Sequence, residues 1–341
     1  QGRVCPEPFR KLMVLNTGDV IVCCPQWMPA VVGNVLEQDL QEIWTGEKIK
    51  IIRETMLDGS YRYCDKKVCH FITQAEHTFP LKSGFNPAIK RFPSEINLSV
   101  DSTCNLWCPS CRLEKVTLTG EKREKAAKII GKVLDSIFYE PHNEHIDLEI
   151  DGVGDIWGSA IYRNEFETRE CFSKPNLWPN LKYTLLTNGV MMTEKIQRKY
   201  TTLFQHVSDI AISVDAGTRD SYDQVRLGGD WDLLWRNIDY YYATQVGNPT
   251  TWTWNVVVQK NNYQSIPELI HRAQDRFAQK LPKIYVSPVL NWGTWSEAEY
   301  LDHAVHIPTH PEHERYLEIM ALPQVRDYLA QQYQLRAPGD K

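Results

Sequence analysis

Short apolar segments alternate with longer, helix-like stretches after about residue 92, and this alternation constrains the fold more than any other feature. The strand-like segments are 96–100, 146–150, 183–186, 209–213, 252–258 and 284–287. Between the first two, residues 122–139 place apolar side chains on one stripe and lysines and acids on the opposite face. This order is typical of a parallel α/β fold, whose functional side chains collect after the carboxyl ends of the strands.

Three cysteines follow the first of these strands directly. Cys104, Cys108 and Cys111 have the spacing CxxxCxxC. A short loop of this kind brings three thiolates to one face of an iron–sulfur cluster and leaves one iron without a protein ligand. Structural zinc is the alternative, but zinc takes four ligands and no further Cys or His follows within about twenty residues. A disulfide framework is disfavoured because the cysteine count, nine, is odd.

With this spacing the sequence resembles the radical S-adenosylmethionine (SAM) enzymes. The resemblance implies a 4Fe-4S cluster whose open iron chelates the amino and carboxylate groups of SAM. It implies reductive cleavage of SAM to methionine and a 5'-deoxyadenosyl radical, with a reductant such as flavodoxin or ferredoxin as the electron source. It also implies the fold, a partial (β/α)6 TIM-like barrel with SAM at its open mouth.

The first seventy residues contain a second group of cysteines. Apolar stretches at 11–15 and 20–24 flank a turn with Asn, Gly and Asp, which predicts a β-hairpin. A helix is predicted from about residue 40 to 57, where apolar side chains recur at near-helical spacing. Separate pieces of chain supply four thiolates, namely Cys5, one of Cys23 and Cys24, Cys64 and Cys69. Such a set suits a closed site for either an iron–sulfur cluster or zinc.

This block resembles the auxiliary-cluster region of radical SAM enzymes, the SPASM domain or the shorter twitch domain. The matching features are Cys5, Gly18-x4-Cys23, the helix with Glu42-Ile-Trp44, Arg53, Gly59 and the pair Cys64 and Cys69. The match implies one auxiliary 4Fe-4S cluster and favours Cys23 over Cys24. In the family this region usually follows the barrel, whereas here it precedes it. We therefore expect a cluster domain at 1–78, a linker at 79–91, the barrel at 92–300 and a C-terminal helical extension at 301–341.

The resemblance also assigns SAM contacts to the residues that follow the strands. Where the family has its Gly-Gly-Glu motif for the SAM amino group, this chain has Asp151, Gly152, Gly154 and Asp155. Glycines let the backbone approach a ligand and carboxylates accept from an ammonium, although a simple glycine-rich turn is the alternative.

Further SAM contacts are expected after the later strands and in the cysteine loop. Those implied by the resemblance are Thr187, Asn188, Ser213, Asp215, Asn255 and Val286. Arg226 is expected to pair with the SAM carboxylate, with a surface ion pair as the alternative. Before the third cysteine the family commonly has a bulky residue near adenine, but here Ser110 occupies that position. Trp107 is expected to supply an aromatic face instead, or to cover the cluster.

Composition disfavours several other classes of protein. The chain is 42% hydrophobic and has no apolar run near the ~20 residues of a membrane span, so no membrane association is expected. A net charge of -5 without a block of Lys and Arg disfavours a general nucleic-acid binder. Unpaired thiols favour a reducing, cytoplasmic location. Cys171 is expected to be a buried small hydrophobe, with a catalytic hydrogen donor as the alternative.

Together these observations predict a radical SAM enzyme that abstracts hydrogen from a peptide or carbohydrate substrate. The product of oxidation, epimerisation or crosslinking is left open. Two alternatives remain, a radical SAM enzyme that modifies RNA and a non-catalytic, cysteine-rich metal-binding module.

Overall fold

The structure is a computed structural model of the chain, and it describes residues 2–67, 69–73, 79–150, 153–248 and 250–334. The chain divides into two compact units that exchange segments along the sequence. Unit 1 comprises Gln1–Ser102, Leu118–Gly154 and Ala160–Thr184, and unit 2 comprises Thr103–Thr117, Asp155–Ser159 and Leu185–Lys341. No helix in the described ranges combines the length and the apolar character that a membrane span requires.

The strands of unit 1 include the predicted hairpin. They are β1 (Lys11–Leu15), β2 (Asp19–Ile21), β3 (Gly33–Asn34), β4 (Glu95–Ser99), β5 (Ile146–Ile150) and the first residues of β6 (Leu181–Thr187). β1 and β2 pair in antiparallel fashion, which confirms the hairpin. β1 also pairs in parallel with β4, and β4 with β5. The sequence did not predict the β1–β4 pairing, which sets Lys11 opposite Glu95, 84 residues later in the chain.

One of the helices predicted for unit 1 is interrupted in the structure. The observed helices are α1 (Glu7–Arg10), α2 (Leu40–Thr45), α3 (Glu47–Leu57), α4 (His70–Thr73), α5 (Gly120–Phe138), α6 (Ala160–Thr168) and α7 (Glu170–Ser173), with 3-10 turns at Lys82–Gly84 and Pro175–Leu177. The single helix predicted for 40–57 is wrong. Gly46 leaves the helical region with ψ 166°, so α2 ends there and α3 begins. α5 buries its apolar stripe as predicted.

Unit 2 contains the later strands and eight of the described α-helices. They are the end of β6, β7 (Val207–Ser213), β8 (Thr251–Val258), β9 (Lys283–Pro288), α8 (Glu194–Lys199), α9 (Thr201–His206), α10 (Arg219–Val225), α11 (Trp231–Gln245), α12 (Ile266–Arg276), α13 (Glu297–His303), α14 (His313–Ala321) and α15 (Pro323–Gln334), with a 3-10 turn at Tyr263–Ser265. β7 pairs in parallel with β8, and β8 with β9. The parallel strands confirm the predicted α/β class. The partial (β/α)6 barrel, the cluster domain before it and the domain boundaries stay predictions.

The two faces of β8 have different partners, and this difference decides which side chains are available to a ligand. Trp252 and Trp254 are buried on one face, where Trp254 packs edge-on against Trp235 of α11 with ring centroids 5.3 Å apart. Side chains alternate between the faces of a strand, so Thr253 and Asn255 lie on the other face. The apolar face thus forms the core with the helices, and the polar face carries Asn255, one of the predicted ligand contacts.

Candidate cluster sites

The three cysteines of the CxxxCxxC spacing lie on a loop of unit 2 that follows β4 in the chain. Cys104 and Cys108 are buried and Cys111 is exposed. The loop is closed by backbone hydrogen bonds, since Cys104 N–H donates to the carbonyl of Val116 at 2.9 Å and Cys111 N–H donates to that of Cys108 at 2.9 Å. These backbone hydrogen bonds keep the loop that carries the three thiols compact.

Each of the three sulfur atoms accepts at least one N–H donor. These hydrogen bonds run from Leu106 N–H to Cys104 Sγ at 3.4 Å, from Asn188 Nδ2 to Cys104 Sγ at 3.7 Å, from Arg226 Nη1 to Cys108 Sγ at 3.6 Å and from Arg112 Nη2 to Cys111 Sγ at 3.5 Å. Burial raises the pKa of Cys104 and Cys108, while donors such as Arg226 oppose this rise. Because N–H donors favour the thiolate, the form that binds iron, this donor set fits an iron–sulfur cluster.

A buried carboxylate connects the chain after β5 to the chain after β6. Asp155 is 2% exposed, and its Oδ2 accepts from the hydroxyl of Thr187 and from the N–H of Asn188, each at 2.8 Å. Its Oδ1 accepts from the N–H groups of Trp157 at 3.0 Å and Gly158 at 3.2 Å. A carboxylate has about four lone-pair sites, so the protein itself occupies them. Asp155 thus fixes Thr187 and Asn188 in place, and its contact with SAM stays a prediction.

The other members of that predicted SAM motif are described only in part. Gly154 is half-buried. Asp151 and Gly152 lie outside the described residues. The predicted correspondence with the family's Gly-Gly-Glu motif therefore stays a prediction for all four positions.

Asp215 and Arg226 form a second buried pair, next to Cys108. Their side chains are 6% and 13% exposed, and Arg226 Nε lies 2.7 Å from Asp215 Oδ2. Asp215 has φ +59°, a left-handed conformation that Asp tolerates better than most residues, and its Oδ1 accepts from Val257 N–H at 2.8 Å. Burial acts to lower the pKa of Arg226, but the charges of Asp215 and the Cys108 thiolate outweigh it and raise that pKa. Arg226 therefore remains charged, with two of its nitrogens already engaged by the protein.

The strand register separates Val286 from the other predicted contacts in unit 2. Ser213 lies opposite Asn255, and Asn255 lies opposite Tyr285, so these three share one face of the sheet. Val286 pairs with Val256 instead, on the face with the tryptophan core. Because successive side chains of a strand point to opposite faces, Ser213 and Asn255 are brought together and Val286 is not.

Trp107 packs against a glycine that the sequence patterns did not single out. The backbone N–H of Trp107 donates to the carbonyl of Leu227 at 3.1 Å. A Cβ on Gly228 would lie 2.3 Å from Trp107 Cζ3. The indole is 37% exposed, so it covers this segment without being enclosed. Ser110 is half-buried. The Gly-Gly doublet at 228–229 was the sequence signal for this close approach.

In unit 1, four N-terminal cysteines line one largely apolar cavity. They are Cys5, Cys23, Cys64 and Cys69, together with Glu7, Pro8, Trp27, Met28, Met56, Phe71, Ile72 and Phe79. Cys24 does not line it, although it is half-buried. Among the described residues, no three His, Cys, Asp or Glu side chains are placed to hold a single metal ion.

The chemistry of the four thiols suits a buried metal group. Burial raises the pKa of Cys5, of Cys23 to about 12 and of Cys64 to about 11. Cys5, Cys23 and Cys64 therefore stay protonated at neutral pH unless a metal displaces their protons. An all-cysteine donor set in an apolar cavity therefore fits an iron–sulfur cluster. Cys171, by contrast, is 1% exposed and lines neither site, which agrees with its predicted burial.

Comparison with protein families supports the cluster assignment in unit 1. Residues 5–70 match the SPASM family, described as an iron-sulfur cluster-binding domain. This segment is thus similar to the SPASM family, which agrees with the resemblance noted from its cysteines. No curated protein matched the chain.

The solved structures that align with the chain include two with low sequence identity. One is Streptococcus suis SuiB bound to precursor peptide SuiA, with 12% identity, a TM-score of 0.43 and coverage of 98% of this chain and 71% of that chain. The other is Streptococcus suis SuiB bound to S-adenosylmethionine, with 14% identity, a TM-score of 0.43 and coverage of 96% of this chain and 70% of that chain.

Proposed function

We propose that the chain is a radical SAM enzyme that modifies a peptide. The observation that carries the proposal is the loop with Cys104, Cys108 and Cys111, whose three sulfurs each accept N–H donors. Three thiolates leave one iron of a 4Fe-4S cluster open, and this vacancy is what distinguishes a cluster that binds SAM from one that only transfers electrons. The SPASM domain beside it in sequence supports the same class, because such domains carry auxiliary clusters in radical SAM enzymes.

The chain's own residues bind and orient the reactants. When bound, the cluster supplies the electron that splits SAM reductively and so generates the radical that takes hydrogen from the substrate. Ser213 and Asn255, on one face of the sheet, are proposed to contact SAM together with Thr187. Asp155 holds Thr187 through the hydrogen bond from its hydroxyl. Trp107 is proposed to shield this site from water.

The auxiliary cluster is proposed to bind Cys5, Cys23, Cys64 and Cys69. These cysteines line the apolar cavity of unit 1, and Cys24 does not. The proposed role of this cluster is to exchange an electron with the substrate radical, or to shape the substrate pocket. A peptide is proposed as substrate because radical SAM enzymes with SPASM domains often act on peptides. Oxidation, epimerisation or crosslinking is the proposed outcome, with flavodoxin or ferredoxin as reductant.

The decisive experiment measures 5'-deoxyadenosine. The full chain is reconstituted with iron and sulfide without oxygen, reduced with dithionite and incubated with SAM. We expect 5'-deoxyadenosine from the native chain and about eight irons per chain, the content of two 4Fe-4S clusters. The variant Cys104→Ala should form no 5'-deoxyadenosine. Cys171→Ala is the matched control, because that buried thiol lines neither site and should leave both readouts intact. Full cluster content without any 5'-deoxyadenosine would refute the proposal.

A further inference from the structure

Two of the cluster cysteines accept side-chain donors of different charge. Cys104 accepts from the neutral amide of Asn188 at 3.7 Å, whereas Cys108 accepts from the guanidinium of Arg226 at 3.6 Å. A charge-assisted hydrogen bond is roughly twice as strong as a neutral one. Arg226 therefore interacts with its sulfur more strongly than Asn188 does at nearly the same distance.

The orientation of Arg226 is fixed from behind by Asp215. The carboxylate of Asp215 pairs with Arg226 Nε at 2.7 Å and accepts from Val257 N–H at 2.8 Å. The carbonyl of Asp215 accepts from Asn262 Nδ2, also at 2.8 Å. Two contacts other than the ion pair thus hold Asp215, and Asp215 in turn directs the guanidinium toward Cys108. A surface arginine with a mobile side chain would not have this support.

The charges of Asp215, Arg226 and Cys108 determine the direction in which this ion pair shifts the reduction potential of a bound cluster. Asp215 and Arg226 neutralise each other, and both are largely buried. The thiolate of Cys108 adds a further negative charge, which grows when electron density enters a cluster bound to it. A fixed cationic donor at this sulfur stabilises the reduced cluster more than the oxidised cluster.

We propose that Arg226 is a positioning residue that raises the reduction potential of the cluster bound at Cys104, Cys108 and Cys111, and that Asp215 holds it against Cys108. This inference rests on the proposed function of that loop. The step concerned is the transfer of one electron from an external reductant to the cluster, and no covalent bond forms or breaks in it. This role is additional to the SAM-carboxylate contact expected from sequence, because the contacts with Asp215 and Cys108 use only two of the three guanidinium nitrogens.

The test is a redox titration of the full chain, followed by electron paramagnetic resonance, with dithionite as reductant. Addition of SAM identifies the relevant cluster, since only a cluster with an open iron changes its signal. Arg226→Gln removes the charge, and we expect the equilibrium constant for reduction to fall about tenfold, or about 59 mV for one electron. Arg226→Lys keeps a charge but lacks the planar guanidinium group. Its midpoint potential should therefore also lie below that of the native chain.

Arg219→Gln is the matched control. Arg219 lies on α10, and with Arg226 it lines a cavity of about 520 Å³, but it pairs with Asp232 and contacts no thiolate of the loop. Arg219→Gln should therefore leave the midpoint potential of the cluster unchanged.

The outcomes separate the inference from the proposed function. If the native chain has no reduced signal that responds to SAM, the proposed function fails and the inference fails with it. If that signal is present but Arg226→Gln titrates like Arg219→Gln, only the inference is overturned. If Arg226→Gln does not assemble the cluster, Arg226→Met decides, because it also removes the charge, and a native midpoint potential in that variant overturns the inference.

Discussion

The contact between Trp107 and Gly228 provides a direct test of how the cysteine loop is supported. Gly228 has φ +80°, and a Cβ at this position would lie 2.3 Å from Cζ3 and 2.8 Å from Cε3 of Trp107. Carbon atoms in ordinary contact are about 3.5–4.0 Å apart, so Gly228→Ala must displace the indole by roughly 1 Å or more. Since Trp107 directly precedes Cys108, the displacement should also disturb the loop.

The expected magnitude has two parts. A left-handed backbone costs a residue with a Cβ about 1–2 kcal/mol, and overpacking of a filled contact costs about 1–3 kcal/mol. Gly228→Ala should therefore lower the free energy of unfolding by about 2–5 kcal/mol. Gly293→Ala is the control, because Gly293 has φ +87° but a Cβ added there would meet no atom within 4 Å. It should lose only the backbone part, about 1–2 kcal/mol.

Urea unfolding of both variants and of the native chain measures these losses, and iron analysis after reconstitution measures the effect on the loop. An unchanged dependence on urea concentration indicates that the comparison concerns stability alone. Equal losses of stability in Gly228→Ala and Gly293→Ala would show that the indole is free to move aside. Gly228 would then not be what supports Trp107.

Three further predictions concern single sites. Cys23→Ser should lose iron from the auxiliary site and Cys24→Ser should not, because Cys23 lines the cavity and Cys24 does not; iron analysis decides, and equal losses contradict the assignment. Asp155→Ala removes the acceptor of four donors and should destabilise the protein by about 3 kcal/mol or more in urea unfolding, whereas a loss below about 1 kcal/mol would contradict its role. Burial and, to a smaller extent, the charge of His313 hold the pKa of His306 below its usual value, so the unfolded chain binds this proton more readily. Thermal stability should therefore fall as the pH drops below roughly 6.5, and less so in His306→Phe; an equal fall in both contradicts this.

Local patterns in the sequence predicted much of the secondary structure. The Asn, Gly and Asp of the first turn, between two apolar stretches, were enough to predict the hairpin of β1 and β2. The apolar stripe of α5 was also evident, because helical periodicity depends only on neighbouring residues. The break at Gly46 was missed, because the apolar spacing continues across this residue although the helical backbone conformation ends there. The face of Val286 was missed as well, because only the register with β8 determines it.

The sequence and the tertiary structure answer different questions about the cysteine loop. The first is which residues can bind iron, and the second is which groups surround their sulfur atoms. The spacing of Cys104, Cys108 and Cys111 places three thiolates on one short loop, whatever the rest of the chain does, and so the sequence by itself determined which residues are candidates to bind iron. Which groups donate to those thiolates was decided only by the tertiary structure. Asn188 is 84 residues from Cys104 and Arg226 is 118 residues from Cys108. Contacts of this range depend on how strands and helices pack, and side-chain chemistry alone does not specify that packing.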